Sequence, residues 1–104
     1  MSKPKRERTA RREAARRAER LGRAREQLFV REPGGAPDRP IEVDSAAVVE
    51  IRARSVRCPR CQGEQAVEEH SAVSPGGNRL REVRLGCQQC GARRSLWFRL
   101  PVLN

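Results

Sequence analysis

Four cysteines stand in two pairs of identical spacing, Cys58-Pro59-Arg60-Cys61 and Cys87-Gln88-Gln89-Cys90, with 25 residues between the pairs. Two intervening residues let a tight turn aim both sulfurs at one centre while backbone N–H groups face them. Two such turns complete a tetrahedral thiolate site, with metal–sulfur distances of about 2.3 Å for zinc. The insert is long enough for a hairpin that leaves the first pair and returns to the second. Pro59 fixes one torsion of the first turn, and Gly91 can take the positive φ that ends the second. Unligated core thiols fit this paired spacing poorly. A dithiol redox centre fits poorly too, because that motif uses one pair in a βαβ setting. With all four positions filled by protein, the metal is expected to be structural, one ion per chain, with no place left for water or substrate.

From Arg57 to Leu100 the chain resembles the zinc-ribbon family, on the motifs Cys-Pro-Arg-Cys-Gln-Gly and Cys-Gln-Gln-Cys-Gly. The resemblance implies two knuckles capping a three-stranded antiparallel sheet, with Zn2+ on Cys58, Cys61, Cys87 and Cys90. It implies little about function. Gly63 stands one place later than the family's usual glycine, which shifts a turn. Rubredoxins hold iron with similar knuckles, but they are acidic and aromatic-rich, whereas Trp97 and Phe98 are the aromatics near these cysteines. Transcription-elongation zinc ribbons carry an acidic pair at the hairpin tip. Here Glu68-Glu69 lie back on a strand and the tip is Pro75-Gly76-Gly77-Asn78, so that function is not carried over.

The elements that must position these cysteines are legible in the periodicity. Val49, Ile51 and Ala53 alternate with Glu50, Arg52 and Arg54, which predicts a half-buried strand running into Cys58. Further strands are expected over about 65–72, 80–86 and 95–100. The third presents Val83 and Leu85 on one face. The last presents Leu96, Phe98 and Leu100 on one face and Trp97 on the other, partly covered by the 49–53 strand. Residues 5–30 predict a helix of Ala, Arg, Glu and Leu with Gly22 as its interior weakness. Glu7–Arg11, Glu13–Arg17 and Glu19–Arg23 are spaced for i,i+4 pairs. The thin stripe of Ala10, Ala14, Ala18, Leu21 and Leu28 offers little area, so this helix is expected to dock strongly on nothing else in the chain and to project or fray. Three prolines and two glycines over 32–40 then read as a linker. The expected architecture is a small metal-stapled all-β zinc ribbon over 41–104, with a three- to four-stranded antiparallel sheet. A basic α-helical extension over 1–31 precedes it.

Composition limits the function. The 104 residues carry 23 Lys+Arg against 13 Asp+Glu, a net charge of +10, and only 37% are hydrophobic. So small a core argues against an enzyme with a deep pocket or a small-molecule substrate. There is no apolar run of membrane-spanning length, no secretory h-region, and too many N-terminal acids for a transit peptide. The expected location is the reducing cytoplasm, where cysteines favour metal over disulfides. Arginine supplies 21 of the 23 cations alongside abundant Ala, Gly and Pro, as GC-rich coding produces. Even so, the charge is concentrated: residues 1–31 hold twelve cations against four acids.

The candidate sites follow from this. Arg11, Arg12, Arg16, Arg17, Arg20 and Arg23 cover most of the predicted helix and are expected to gather phosphates of DNA or RNA with low specificity. Arg60, Arg93 and Arg94 stand beside the knuckles, where they serve either phosphate contact or charge balance for a tetrathiolate centre. Trp97 is a candidate stacking residue if it is bare. His70 is expected on a solvent-facing strand position. Two functions remain in play: non-catalytic nucleic-acid binding, or a protein-interaction module whose sheet docks on a larger complex. No membrane partner is expected: an interfacial helix needs a broad face of Trp, Phe and Leu, and this one has alanines.

Overall fold

The computed structural model describes residues 3–77 and 79–101. Asn78 of the expected turn and residues 102–104 of the expected 41–104 unit lie outside them. In chain order the elements are α1 (Lys3–Phe29), β1 (Ile41–Glu42), α2 (Ala46–Ser55), β2 (Gln65–Val73), β3 (Leu80–Cys87) and β4 (Arg93–Arg99). A short 3-10 turn, Pro75–Gly77, joins β2 to β3.

The sheet order is β1-β4-β3-β2. Strands β2, β3 and β4 form an antiparallel meander, in which Val83 stands opposite Leu96 and His70. β1 pairs parallel to β4, with Ile41 opposite Phe98. The sheet is therefore mixed rather than purely antiparallel. The reason is the connection: β1 and β2 occupy opposite edges, and α2 crosses between them. Such a helical crossover leaves the strands it joins pointing the same way.

α2 replaces the strand expected over Val49–Ala53. Val49 and Ala53 are both fully buried, while Ile51 between them is 66% exposed. A strand would have buried all three. Residues four apart share a face of a helix as well as of a strand, and Ala46-Ala47 at the start favour the helix.

Val49 and Ala53 pack with Val43, Val83, Leu85, Leu96 and Phe98 in one core on the α2 side of the sheet. Phe98 is core, as its periodicity requires. Trp97 is half-buried and points to the opposite face, so α2 does not cover it.

α1 contributes to the same core at one end only. Phe29, its last residue, is 8% exposed and belongs to the core cluster. From Arg6 to Leu21 every residue of the helix is exposed, within a molecular envelope of 75 × 21 × 16 Å. The helix projects over this length, but its C-terminal end, expected to dock on nothing, is seated on the core by a face other than the alanine stripe. Leu21 and Leu28 of that stripe are 52% and 57% exposed. The contacts come from Glu19, Gly22, Glu26 and Phe29, because a phenylalanine ring and two carboxylates offer more than alanine methyls. Gly22 is explained by close approach: a Cβ there would stand 2.9 Å from Arg60 Cγ.

The segment after α1 folds back on β4. Gly34 is buried, its N–H donates to Arg39 O at 2.6 Å, and its carbonyl accepts the Trp97 N–H at 2.8 Å. The Pro/Gly stretch over 32–40 is thus attached to the sheet through backbone hydrogen bonds.

Candidate metal centre

Both cysteine pairs sit on turns with one hydrogen-bonding plan. The Cys58 carbonyl accepts from Gln62 N at 2.7 Å and its N–H donates to Gly63 O at 3.0 Å. Likewise the Cys87 carbonyl accepts from Gly91 N at 3.0 Å, and its N–H donates to Ala92 O at 2.9 Å. Gln62 and Gly91 hold equivalent places, with φ of +66° and +76°. The first turn therefore places a glutamine in the left-handed region that its twin reserves for glycine. Gly63, one place later, is required for space. A Cβ there would meet Gln89 Cβ at 2.8 Å and Cys87 Sγ at 3.1 Å.

These turns bring four sulfurs together from the two ends of the β2–β3 hairpin. All four Sγ atoms lie within 4.8 Å of one another. Cys61 and Cys87 are separated by 3.4 Å, Cys58 and Cys90 by 3.7 Å. A disulfide would need about 2.05 Å. A tetrahedron of sulfurs at about 2.3 Å from a central ion has edges of about 3.8 Å, so the cluster fits one metal ion. Backbone donors face the sulfurs as thiolates require: Gly63 N to Cys61, and Gln89 N and Cys90 N to Cys87, each at 3.4 Å. Cys58 and Cys87 are buried, Cys61 is half-buried and Cys90 is exposed.

The electrostatics of the cluster are unequal. The Cys90 and Gln89 N–H groups hold the Cys87 thiol down at about 6, against the opposing effect of burial. At Cys61 the Gly63 N–H works downward, but burial and the three neighbouring sulfurs outweigh it and push the thiol up to about 12. Packed sulfurs cannot all ionise without a cation among them.

Around the centre the arginines divide. Arg94 is withdrawn from the surface, its side chain 5% exposed, with Nη1 2.7 Å from Glu26 and Nη2 3.2 Å from Cys58 Sγ. It is not free to meet a phosphate. Arg60 pairs with Glu19 of α1 at 2.6 Å, and Arg93 with Glu68 at 3.2 Å. Arg11, Arg12, Arg16, Arg17, Arg20 and Arg23 are exposed and have no acidic partner among the described residues. The i,i+4 pairs expected along α1 are not closed, and Glu19 turns to Arg60 instead of Arg23. Exposed pairs on one helix gain only a few tenths of a kcal/mol, so a partner on the knuckle wins.

His70 does not face solvent. Its side chain is 14% exposed, and Nδ1 lies 3.1 Å from Glu50 Oε2 of α2. The carboxylate can only accept, so Nδ1 carries the proton. The cause is a bulge: the β2–β3 register shifts between Val67 and Glu69. One extra residue inverts the alternation and turns His70 onto the core side.

No helix of the described residues is long and apolar enough to cross a membrane. No family model matches the chain, and neither a curated protein nor a solved structure shows significant similarity to it. What is established is a four-cysteine cluster able to hold one metal ion on a four-stranded mixed sheet with two α-helices among the described residues.

Proposed function

We propose that this protein is a small non-catalytic module in which Zn2+ on Cys58, Cys61, Cys87 and Cys90 staples a sheet that presents a nucleic-acid-binding arm. Zinc is favoured over iron by the basic, aromatic-poor character of the chain. A closed tetrathiolate leaves no ligand position for water or substrate, so the ion supplies folding energy, on the order of 10 kcal/mol, rather than chemistry. Thiolate ligands suit a reducing compartment such as the cytoplasm.

The observation that carries the nucleic-acid reading is the set of exposed α1 arginines with no acidic partner among the described residues. Arg11, Arg12, Arg16 and Arg17 stand on the length of helix that clears the sheet, and Arg20 and Arg23 are exposed on its docked turns, where cations release counterions from a phosphate backbone. Arg60 and Arg93 are secondary contacts because each already has a carboxylate. Trp97 lies on the face away from α2 and is half-buried, so it adds at most one stacking edge.

The test is titration of the full, zinc-loaded chain with duplex DNA and with structured RNA across a salt series. The expected dissociation constant is in the micromolar range or weaker (about 10⁻⁶–10⁻⁴ M) at physiological salt, with little sequence preference. A second reading, docking on a larger complex, is favoured by the exposed Val48 and Ile51 on the outer side of α2. It predicts a partner that survives nuclease treatment, with no salt-dependent binding of nucleic acid.

A further inference from the structure

The metal centre and α1 meet in one side chain. Arg94 projects from the core side of β4 and divides its donors among three elements. Nη2 reaches Cys58 Sγ at 3.2 Å, Nη1 reaches Glu26 Oε1 of α1 at 2.7 Å, and Nε reaches Gln65 Oε1 of β2 at 2.7 Å. The guanidinium also lies over the Phe29 ring, 5.8 Å from its centroid. Gln65 is itself fixed, since its Nε2 donates to Val56 O at 3.0 Å just ahead of the first knuckle. One buried cation therefore touches a cysteine of the cluster and two of the residues that seat the end of α1.

We propose that metal binding and the docking of α1 are coupled through Arg94, so that loading the cysteine cluster fixes the direction in which the arginine arm leaves the sheet. This rests on the metal reading above and is independent of what the arm binds. A guanidinium held at this depth must be compensated by negative charge. Glu26 supplies one carboxylate. Four thiolates around a divalent ion carry a net charge of about −2, so the loaded centre offers Arg94 an anionic acceptor at Cys58 and a charge-assisted hydrogen bond. A neutral thiol at the same place is a weak acceptor. Loading thus tightens the seat of Arg94, and a seated Arg94 holds Glu26 and Phe29. Coupling of this kind is reciprocal: what docking gains from the metal, the metal gains from docking.

The experiment uses the full chain with cobalt(II) as the probe metal, read by thiolate-to-cobalt absorption and by amide hydrogen exchange. In the loaded wild type, amides over 22–29 are expected to be protected. Arg94→Gln keeps all four cysteines and should still bind cobalt, about fivefold or more weakly, with a displaced absorption band because Cys58 has lost its donor. Its amides over 22–29 should lose protection while β3 and β4 keep theirs. Arg94→Lys retains the charge and covers the case in which the glutamine variant does not fold. A single ammonium on a longer stem cannot span Glu26, Gln65 and Cys58 together, so protection over 22–29 should fall there too. The coupling is overturned if either loaded variant keeps wild-type protection over 22–29. It is equally overturned if protection falls uniformly across β3, β4 and α1 with the absorption band unmoved. A wild-type chain that binds no cobalt defeats the metal reading itself, an outcome distinct from normal loading without coupling.

Discussion

The Phe29 ring lies beneath the Arg94 guanidinium, 5.8 Å from centroid to carbon, so the last residue of α1 and a buried cation of β4 share one contact. Phe29 is 8% exposed and forms part of the core. Removing a buried ring leaves a cavity that its neighbours fill only partly. Phe29→Ala should therefore lower the stability of the zinc-loaded chain by about 3 kcal/mol. A fragment beginning at Ile41 should unfold at lower denaturant than the full chain for the same reason. Denaturation curves read the loss, and a cost under about 0.5 kcal/mol would show that α1 is a free appendage.

Metal analysis of the purified protein should find one zinc per chain. Cys87→Ser deletes the sulfur that receives the Gln89 and Cys90 N–H groups, and with it the centre. Because a structural zinc would contribute on the order of 10 kcal/mol, that variant should lose its cooperative sheet transition. Stoichiometric iron, or a sheet that stays folded with no metal, would sink the zinc assignment.

On α2 the two sides should respond oppositely. Val49 is fully buried and Ile51 is 66% exposed. Val49→Ala should cost about 2 kcal/mol, while Ile51→Ala should change stability by less than about 0.5 kcal/mol. Equal penalties at both positions would mean that this segment buries both side chains, as a strand does.

The Glu50–His70 contact gives stability a defined pH dependence. Glu50 is held below its ordinary value of 4.5, chiefly by the hydrogen bond from His70. A carboxyl lowered on folding stabilises the protein above its unfolded pKa, and that contribution fades as pH falls through the folded value. The wild type should thus be more stable than Glu50→Gln above about pH 4.5, with the difference shrinking below it. Proton competition for the thiolates acts on both proteins alike, so the difference between them is the quantity to follow under excess zinc. A difference that stays constant through this range would remove Glu50 as its source.

If α1 is the phosphate-binding arm, its exposed arginines set the salt dependence. Changing Arg16, Arg20 and Arg23 together to Gln should reduce the slope of log affinity against log salt by about one per arginine lost. Arg93→Gln should change it less, because Arg93 is paired with Glu68. Deleting residues 1–31 should abolish most of the slope. An unchanged slope after that deletion would move the phosphate contacts to the sheet and its knuckles.

The parts of this fold that could be read ahead of the structure are those set by neighbours in the chain. The two C-x-x-C turns aim their own sulfurs, whatever else the chain does, so the cluster was legible from spacing alone. Gly91 takes its positive φ as expected, and the alternation through Leu96 and Phe98 gives the buried face of β4. Alanine, arginine and glutamate in quantity make α1 a helix on their own account.

What remained open was decided by residues distant in sequence. Val49 and Ala53 are four apart, a spacing that satisfies a strand and a helix alike, and only the exposure of Ile51 separates the two. His70 changed face because one extra residue at the Val67–Glu69 shift reversed the pleat, which no local pattern announces. Arg94 looks in sequence like any other surface arginine beside Arg93. It is buried because Glu26, Gln65 and Cys58, from three separate elements, converge on its guanidinium. The sequence by itself therefore determined the cysteine turns, the helical arm and the alternating strands, since torsions and periodicity are properties of adjacent residues. Which face each element covers, and which arginine is withdrawn from solvent, was left to the tertiary structure, because burial depends on what arrives from elsewhere in the chain.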